Sequence, residues 1–277
     1  MNNTHPCRQI QQLFVASMIA IAWSACSADD PSRIDSEALT EFLKRFDVLE
    51  RRGFVKTQRA GSTGIGYTLE TLLKIEENNS PNGDLLGMEI KAYRDDEQEF
   101  NDREKMNLFL KEPTWVDGKA SADRVRDYGY VDPKGRPAWY QSVTCKTNDR
   151  GLQLQVDRAS RRLNLLWNKS VLGYWPFDVL QQRLQEKHSE AVFVAAETRG
   201  TGKDEEFHFQ TVTYCAKPDV ERLLQLVDSA DVILELRMHL KPTGGVRNHG
   251  TAFRVRKHRL VDLYEVHVTC RPLPEKQ

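Results

Sequence analysis

The run Asp84-Leu85-Leu86-Gly87-Met88-Glu89-Ile90-Lys91 sets two carboxylates and an ammonium within eight residues. The order suits metal-assisted cleavage of a DNA phosphodiester. Two acids can hold a hard, oxygen-loving cation such as Mg²⁺ against a phosphate. A lysine two residues after the second acid shares its face of a strand, where it can orient a water and offset charge on the phosphate. Asp84 and Glu89 stand five apart, so a straight strand would point them to opposite faces. A shared metal therefore requires a turn or bulge near Gly87.

A second constellation lies toward the C-terminus: Glu235-Leu236-Arg237-Met238-His239, then Arg247-Asn248-His249-Gly250-Thr251-Ala252-Phe253-Arg254. From Arg237 to Arg259 there are seven Lys/Arg, three His and no acid, a local basic stripe of the kind that contacts DNA. Glu235 and Arg237 point the same way from one strand. Arg can read guanine O6 and N7 while an acid accepts from cytosine N4, so the pair suits a C·G base pair. The bland alternative is a solvated strand with a surface ion pair.

The elements that must position these groups can be read from periodicity. Ser36 to Arg51 reads as an amphipathic helix capped by Ser36 and stopped by Gly53, with a stripe of Leu39, Phe42, Leu43, Phe46 and Leu49. The glycine-rich loop Gly61-Ser62-Thr63-Gly64-Ile65-Gly66 opens onto a helix over about Tyr67 to Asn78. The loop lacks the Gly-Lys-Ser/Thr ending of a nucleotide-binding P-loop. It suits close backbone approach to a phosphate, or a tight turn. A turn at Asn79 to Gly83 and a strand over Leu85 to Ala92 follow. Residues 95 to 136 read as mixed loops and short helices. Strands are expected over Ala138–Cys145, Leu152–Val156, Leu163–Trp167, Ala191–Ala196, Phe207–Cys215, Ile233–Leu240, Thr251–Val255 and Val266–Cys270, with helices over Pro176–Lys187 and Val220–Val227. Strands interleaved with helices predict an α/β architecture with an α+β mixed sheet.

With 277 residues, 39% apolar and 29% charged, the chain is long enough for one large domain or two small lobes. Its zero formal net charge gives no bulk argument for nucleic acid, so local charge must carry that case. Cys7, Cys26, Cys145, Cys215 and Cys270 show no zinc spacing and suggest reduced thiols, the last three as small strand residues. Leu13 to Trp23 is an apolar run of signal-peptide length, too short to span a membrane, followed by Ser24-Ala25-Cys26. It is either an export signal or the product of an over-extended gene start. The downstream chemistry favours the second and a cytoplasmic location. Residues 1–32 are expected to lie outside the fold, leaving 33–277 as one domain, with 33–135 mainly catalytic and 136–277 mainly sheet and recognition elements.

Taken together, Thr63-Gly64-Ile65-Gly66-x-Thr68-x-Glu70-x-Leu72-Leu73, the Asp84-x4-Glu89-Ile90-Lys91 core and His249-Gly250-Thr251-Ala252-Phe253-Arg254 resemble the MvaI/BcnI-type restriction endonucleases, relatives of the mismatch-repair nicking enzyme MutH. The resemblance spans about Phe42 to Val268. Trp139-x-Gln141-Ser142-Val143 and Tyr174-Trp175-x-Phe177-Asp178-x-Leu180-Gln181 match between the ends. It implies a PD-(D/E)xK nuclease core with a catalytic lobe and a DNA-recognition lobe. It also implies a Mg²⁺-dependent type II enzyme, active as a monomer on a short GC-rich site of CCNGG type in double-stranded DNA. A cognate methyltransferase would belong to the same system without direct contact. Carried over by position, Asp84, Glu89 and the Ile90 carbonyl are metal ligands, Lys91 is the catalytic lysine and Glu70 a supporting acid. Arg237, His249 and Arg254 fall on base-reading positions and Glu235 where relatives carry an acid; Arg247, Thr63 and Gly64 join the DNA-binding set.

There are departures. Gly83 stands where the family name places proline. Arg247 replaces a histidine two before His249, and the loop Pro242 to Val246 is shorter, so the central base pair of the target stays open. Two other activities are also open: a MutH-like nickase using the same site, and an exported non-catalytic lipoprotein or binding module suggested only by Leu13 to Cys26.

Overall fold

In the computed structural model, residues 34–75, 84–95 and 105–270 are described, Cys270 by its backbone alone. The leader and the expected turn at Asn79 to Gly83 lie outside them. Ser36 caps the first helix, α1 (Glu37–Glu50), its side chain accepting from Leu39 N, and Gly53 follows at a φ of 66°. The next helix, α2 (Gly64–Leu72), starts earlier and ends sooner than periodicity predicts. Gly64 opens it because a Cβ there would meet the Arg59 carbonyl at 2.0 Å. Lys74 adopts a φ of 57°, and the Ile75 and Lys74 N–H groups donate to the Glu70 and Thr71 carbonyls. That is a Schellman ending, which satisfies the last carbonyls and stops the helix without glycine.

Two compact units share the chain, and sequence order does not divide them. Unit 1 takes the described residues within Met1–Phe100, Glu186–Lys217 and Val266–Gln277; unit 2 takes Asn101–Gln185 and Pro218–Glu265. In unit 1, β1 (Val55–Lys56), β11 (Glu206–Pro218), β10 (Glu190–Arg199) and β2 (Glu89–Arg94) form a sheet in that order, and β15 (Tyr264–Cys270) also pairs with β11. β10 runs antiparallel to β11 and parallel to β2, with Ala191 beside Glu89. Leu39, Phe42, Phe46 and Leu49 of α1 pack with Ile65 and Leu69 of α2 onto Val192, Val194 and Phe207. Each such side chain, fully buried, contributes about 1.5–3 kcal/mol of transfer free energy.

Unit 2 is built on a second sheet, β3 (Lys105–Leu110), β14 (Ala252–Arg256), β12 (Val232–Leu240), β6 (Pro137–Val143) and β5 (Tyr130–Val131), with β13 (Val246–Asn248) also on β12. A third sheet joins β4 (Thr114–Trp115), β9 (Ser170–Pro176), β8 (Arg162–Trp167) and β7 (Leu152–Asp157). Helices α3 (Ser121–Tyr128) and α5 (Val220–Asp228) also belong to this unit, while α4 (Phe177–His188) continues from it into unit 1. β12 alternates cleanly: Leu234, Leu236, Met238 and Leu240 are buried, while Glu235, Arg237 and His239 are half-buried on the other face.

Six strands of the described residues are not among those expected, the short β1, β4, β5 and β13 and the longer β3 and β9. In β3, Leu108 and Phe109 are buried side by side because the register to β14 shifts at Phe253/Arg254, which erases the period of two. In β9, Gly173 breaks the strand pattern; a Cβ there would sit 3.1 Å from the Pro113 ring. Cys215 is a buried thiol on β11, whereas Cys145 lies just beyond β6 and donates to the Asp228 carbonyl. No helix among the described residues is long and apolar enough to cross a membrane.

Candidate active site

The bend required between the two acids is present. Leu86 and Gly87 take φ values of 50° and 86°, and Leu85 bridges back to Met88 in a tight reverse turn ahead of β2. Left-handed conformation at two successive positions folds Asp84 back along the strand. Its Oδ2 accepts from Ile90 N at 2.8 Å. Among the described residues β2 is an edge strand, and one residue's N–H and C=O project to the same side of a strand. The Ile90 carbonyl is therefore turned to the open edge with its N–H, on Asp84's side.

Glu89 is 4% exposed and held by two lysines. Lys91 Nζ contacts Oε1, and Lys187 Nζ lies 2.9 Å from Oε2. Burial alone would raise the Glu89 carboxyl. The charge and hydrogen bond of Lys91, with Lys187 and His188, outweigh it and hold the group below its usual range. Asp84 goes the other way: burial and the neighbouring Glu89 charge push it up against the pull of the Ile90 N–H. One carboxylate is charged and neutralised; the other is crowded by it.

This arrangement fits a hard divalent cation. Among the described residues no group of three or more His, Cys, Asp or Glu side chains is gathered. A cation here would rest on two carboxylates and a backbone oxygen and complete its coordination with waters and phosphate oxygens, as Mg²⁺ commonly does. It would also relieve the repulsion that raises Asp84.

Lys187 was missed in the sequence. It lies in the last turn of α4, three residues before β10, the strand that pairs with β2. Its position just before β10 becomes a signal only once β10 is known to pair with β2. Glu70 is half-buried on α2, which packs against β2. Thr63 precedes α2 without capping it by its side chain, and the tight approach at Gly64 is to the Arg59 carbonyl.

The second set of residues meets on the polar face of unit 2's larger sheet. Glu235 is engaged by Lys105 Nζ at 2.8 Å and Arg254 Nε at 2.8 Å rather than by Arg237. Arg237 is anchored instead on the carbonyls of Gly250, at 3.2 Å through Nε, and His249, at 2.8 Å through Nη2. The hexapeptide has a clear division of labour. Gly250 turns at a φ of 82°, Thr251 is buried with its N–H on Glu112, Ala252 and Phe253 enter the core, and His249 and Arg254 stay on the polar side. Arg247 is exposed opposite His239. The basic stripe does not act as one: Arg256 and Arg259 face Asp231, and Arg259 also pairs with Asp262 at 2.7 Å.

A family model described as the MvaI/BcnI restriction endonuclease family matches residues 43–264. Among solved structures, a complex of restriction endonuclease MvaI with cognate DNA substrate is 25% identical. It covers 86% of this chain and 99% of that one, with a TM-score of 0.69. MvaI in the absence of DNA is 24% identical over 85% of this chain and 99% of its own, with a TM-score of 0.54. Among curated proteins, none matches.

Proposed function

The chain belongs to the MvaI/BcnI restriction endonuclease family, and from that premise we propose that it is a Mg²⁺-dependent type II enzyme. It cuts double-stranded DNA at a short GC-rich site of CCNGG type, acting as a cytoplasmic monomer beside a cognate methyltransferase. The observation that carries this reading is the reverse turn that folds Asp84 back onto the Ile90 N–H, next to Glu89 and its two lysines. The cognate DNA substrate in the solved MvaI complex supports the substrate class.

Asp84, Glu89 and the Ile90 carbonyl would hold the cation, which supplies Lewis-acid stabilisation of charge on the phosphate. Lys91 would orient the attacking water and stabilise the added negative charge. Water adds to phosphorus in line with the 3′-oxygen. The P–O3′ bond breaks, one proton leaves the water and one returns to the 3′-oxygen, and a 5′-phosphate remains. Glu70 supports the site from α2, and Thr63 and Gly64 approach the DNA backbone at that helix's N-terminus. Arg237, Arg247, His249, Arg254 and Glu235 read the target. Glu235 can still accept from cytosine N4, since a carboxylate has more lone pairs than its two cationic neighbours use.

Lys91→Ala tests this reading on supercoiled plasmid with Mg²⁺. Loss of linear product by about a hundredfold or more is expected; undiminished cleavage would sink the proposal. A nicked end product that needs a partner protein would replace it with the nickase reading.

A further inference from the structure

A chain of polar contacts crosses the same face of unit 2 through residues with no role above. Asp132, between β5 and β6, accepts from Arg136 Nε at 3.0 Å and Nη2 at 2.7 Å, and also from the Arg136 backbone N–H at 3.0 Å. The guanidinium is thereby fixed, with Nη1 3.2 Å from His239 Nε2. On the far side of the ring, His239 Nδ1 is 2.7 Å from the Tyr140 hydroxyl.

The proton positions follow from donor chemistry. Arginine can only donate, so His239 Nε2 must accept, and the ring's one proton sits on Nδ1. The imidazolium is disfavoured as well: desolvation, with the charges of Arg136, His249 and Arg247, keeps His239 below its usual range against the opposing pull of Asp132. Nδ1–H then donates to the Tyr140 oxygen. The tyrosine's own hydrogen is barred from the ring and must be donated elsewhere. A free hydroxyl rotates to serve donors and acceptors alike and discriminates poorly between them. Here the relay makes it a donor only.

Tyr140 is half-buried, directly across from Arg237 on the neighbouring strand, with the His249 ring 6.5 Å away. We propose that Tyr140 is a base-reading residue, donating its hydroxyl hydrogen to an acceptor on the major-groove edge of the base pair next to that read by Arg237, and that His239 is the positioning residue that makes it a donor. The acceptors of matching chemistry are guanine N7 and O6, adenine N7 and thymine O4; a cytosine N4 or adenine N6 amino group at that point is rejected. The inference rests on the proposed function, since it names a further specificity determinant of that activity.

The test measures kcat/KM on the cognate duplex and on duplexes changed at one base pair each. Wild type, Tyr140→Phe, His239→Leu and His239→Asn are compared, all checked for folding by circular dichroism. The asparagine amide nitrogen can take the place of Nδ1–H. Tyr140→Phe is expected to lower the cognate-to-changed ratio about tenfold at one position and leave it unchanged at the others. His239→Leu should do the same, and His239→Asn should stay within about threefold of wild type. An unchanged ratio in Tyr140→Phe overturns the inference. So does an equal fall on every duplex, which marks a phosphate contact. A ratio in His239→Asn as low as in His239→Leu overturns the positioning role. If His239→Leu does not fold, Tyr140→Phe and His239→Asn carry both claims. Wild type that cuts no DNA site-specifically overturns the proposed function itself, a result distinct from all of these.

Discussion

Replacing Lys187 by methionine removes one of two charges from Glu89 while keeping an unbranched stem of similar length. The pair is 2.9 Å apart with side chains 20% and 5% exposed, so it is screened little by solvent. At an effective dielectric of about 20, its Coulomb energy is about 6 kcal/mol. Desolvation of the two ions cancels most of that. Lys91 remains on Oε1, so Glu89 does not become an uncompensated charge. A net loss of about 2 kcal/mol in unfolding free energy at pH 7 is the expected result, the size of one charge-assisted hydrogen bond. The pH dependence has a fixed sign. Glu89 is held below its ordinary 4.5, so its stabilisation is present above that value and fades as pH falls through the lower folded-state value. Losing Lys187 weakens the depression, and the acid-side loss of stability begins at higher pH. Urea unfolding of metal-free wild type and Lys187→Met, at pH 7 and stepwise from pH 6 to about pH 3, measures both. A difference below about 0.5 kcal/mol with superimposed acid limbs would refute the reasoning.

Asp84→Asn should abolish plasmid cleavage yet stabilise the metal-free protein by about 0.5–2 kcal/mol, because burial and Glu89 disfavour the charge while the amide oxygen still accepts from Ile90 N. A melting temperature at or below wild type would contradict this. Gly87→Ala places a Cβ at a φ of 86° and should cost about 1–2 kcal/mol in denaturant unfolding, with cleavage falling as Asp84 swings away from Ile90; unchanged cleavage would show that the turn does not position the acid.

The site was most legible where one residue type imposes one geometry. The spacing of Asp84 and Glu89 demands a bend, and Gly87 is where the bend occurs. Ser36 caps α1, and β12 alternates as its sequence does. What stayed hidden depends on distant chain. Lys187 reaches Glu89 only because β10 pairs with β2, and nothing near either residue announces it. Glu235 pairs by spacing with Arg237, two residues away on its own strand. Arg254 and Lys105, from elsewhere in the sheet, take it instead. Arg254 stands diagonal to Glu235, opposite Ile233 on β14, and Lys105 lies one strand further on β3, so long side chains cross the sheet to reach it. β3 escaped because its register shift erases the alternation that strand reading relies on.

The interleaving of the two units bears on how the protein is born. Unit 2 enters the chain after residue 100, is interrupted at 186–217 and closes at Glu265. During synthesis, β2 emerges with both acids but without its parallel neighbour, which is still unmade. Lys187 and β10 arrive after half of the second sheet's strands and all of the third's, and β15 completes the first sheet last. Such long-range closure slows folding, but it also imposes an order. A ribosome that stops before Lys187 releases both acids without that lysine and without the strand that flanks β2, so the charge balance at Glu89 is completed only when that later segment is made.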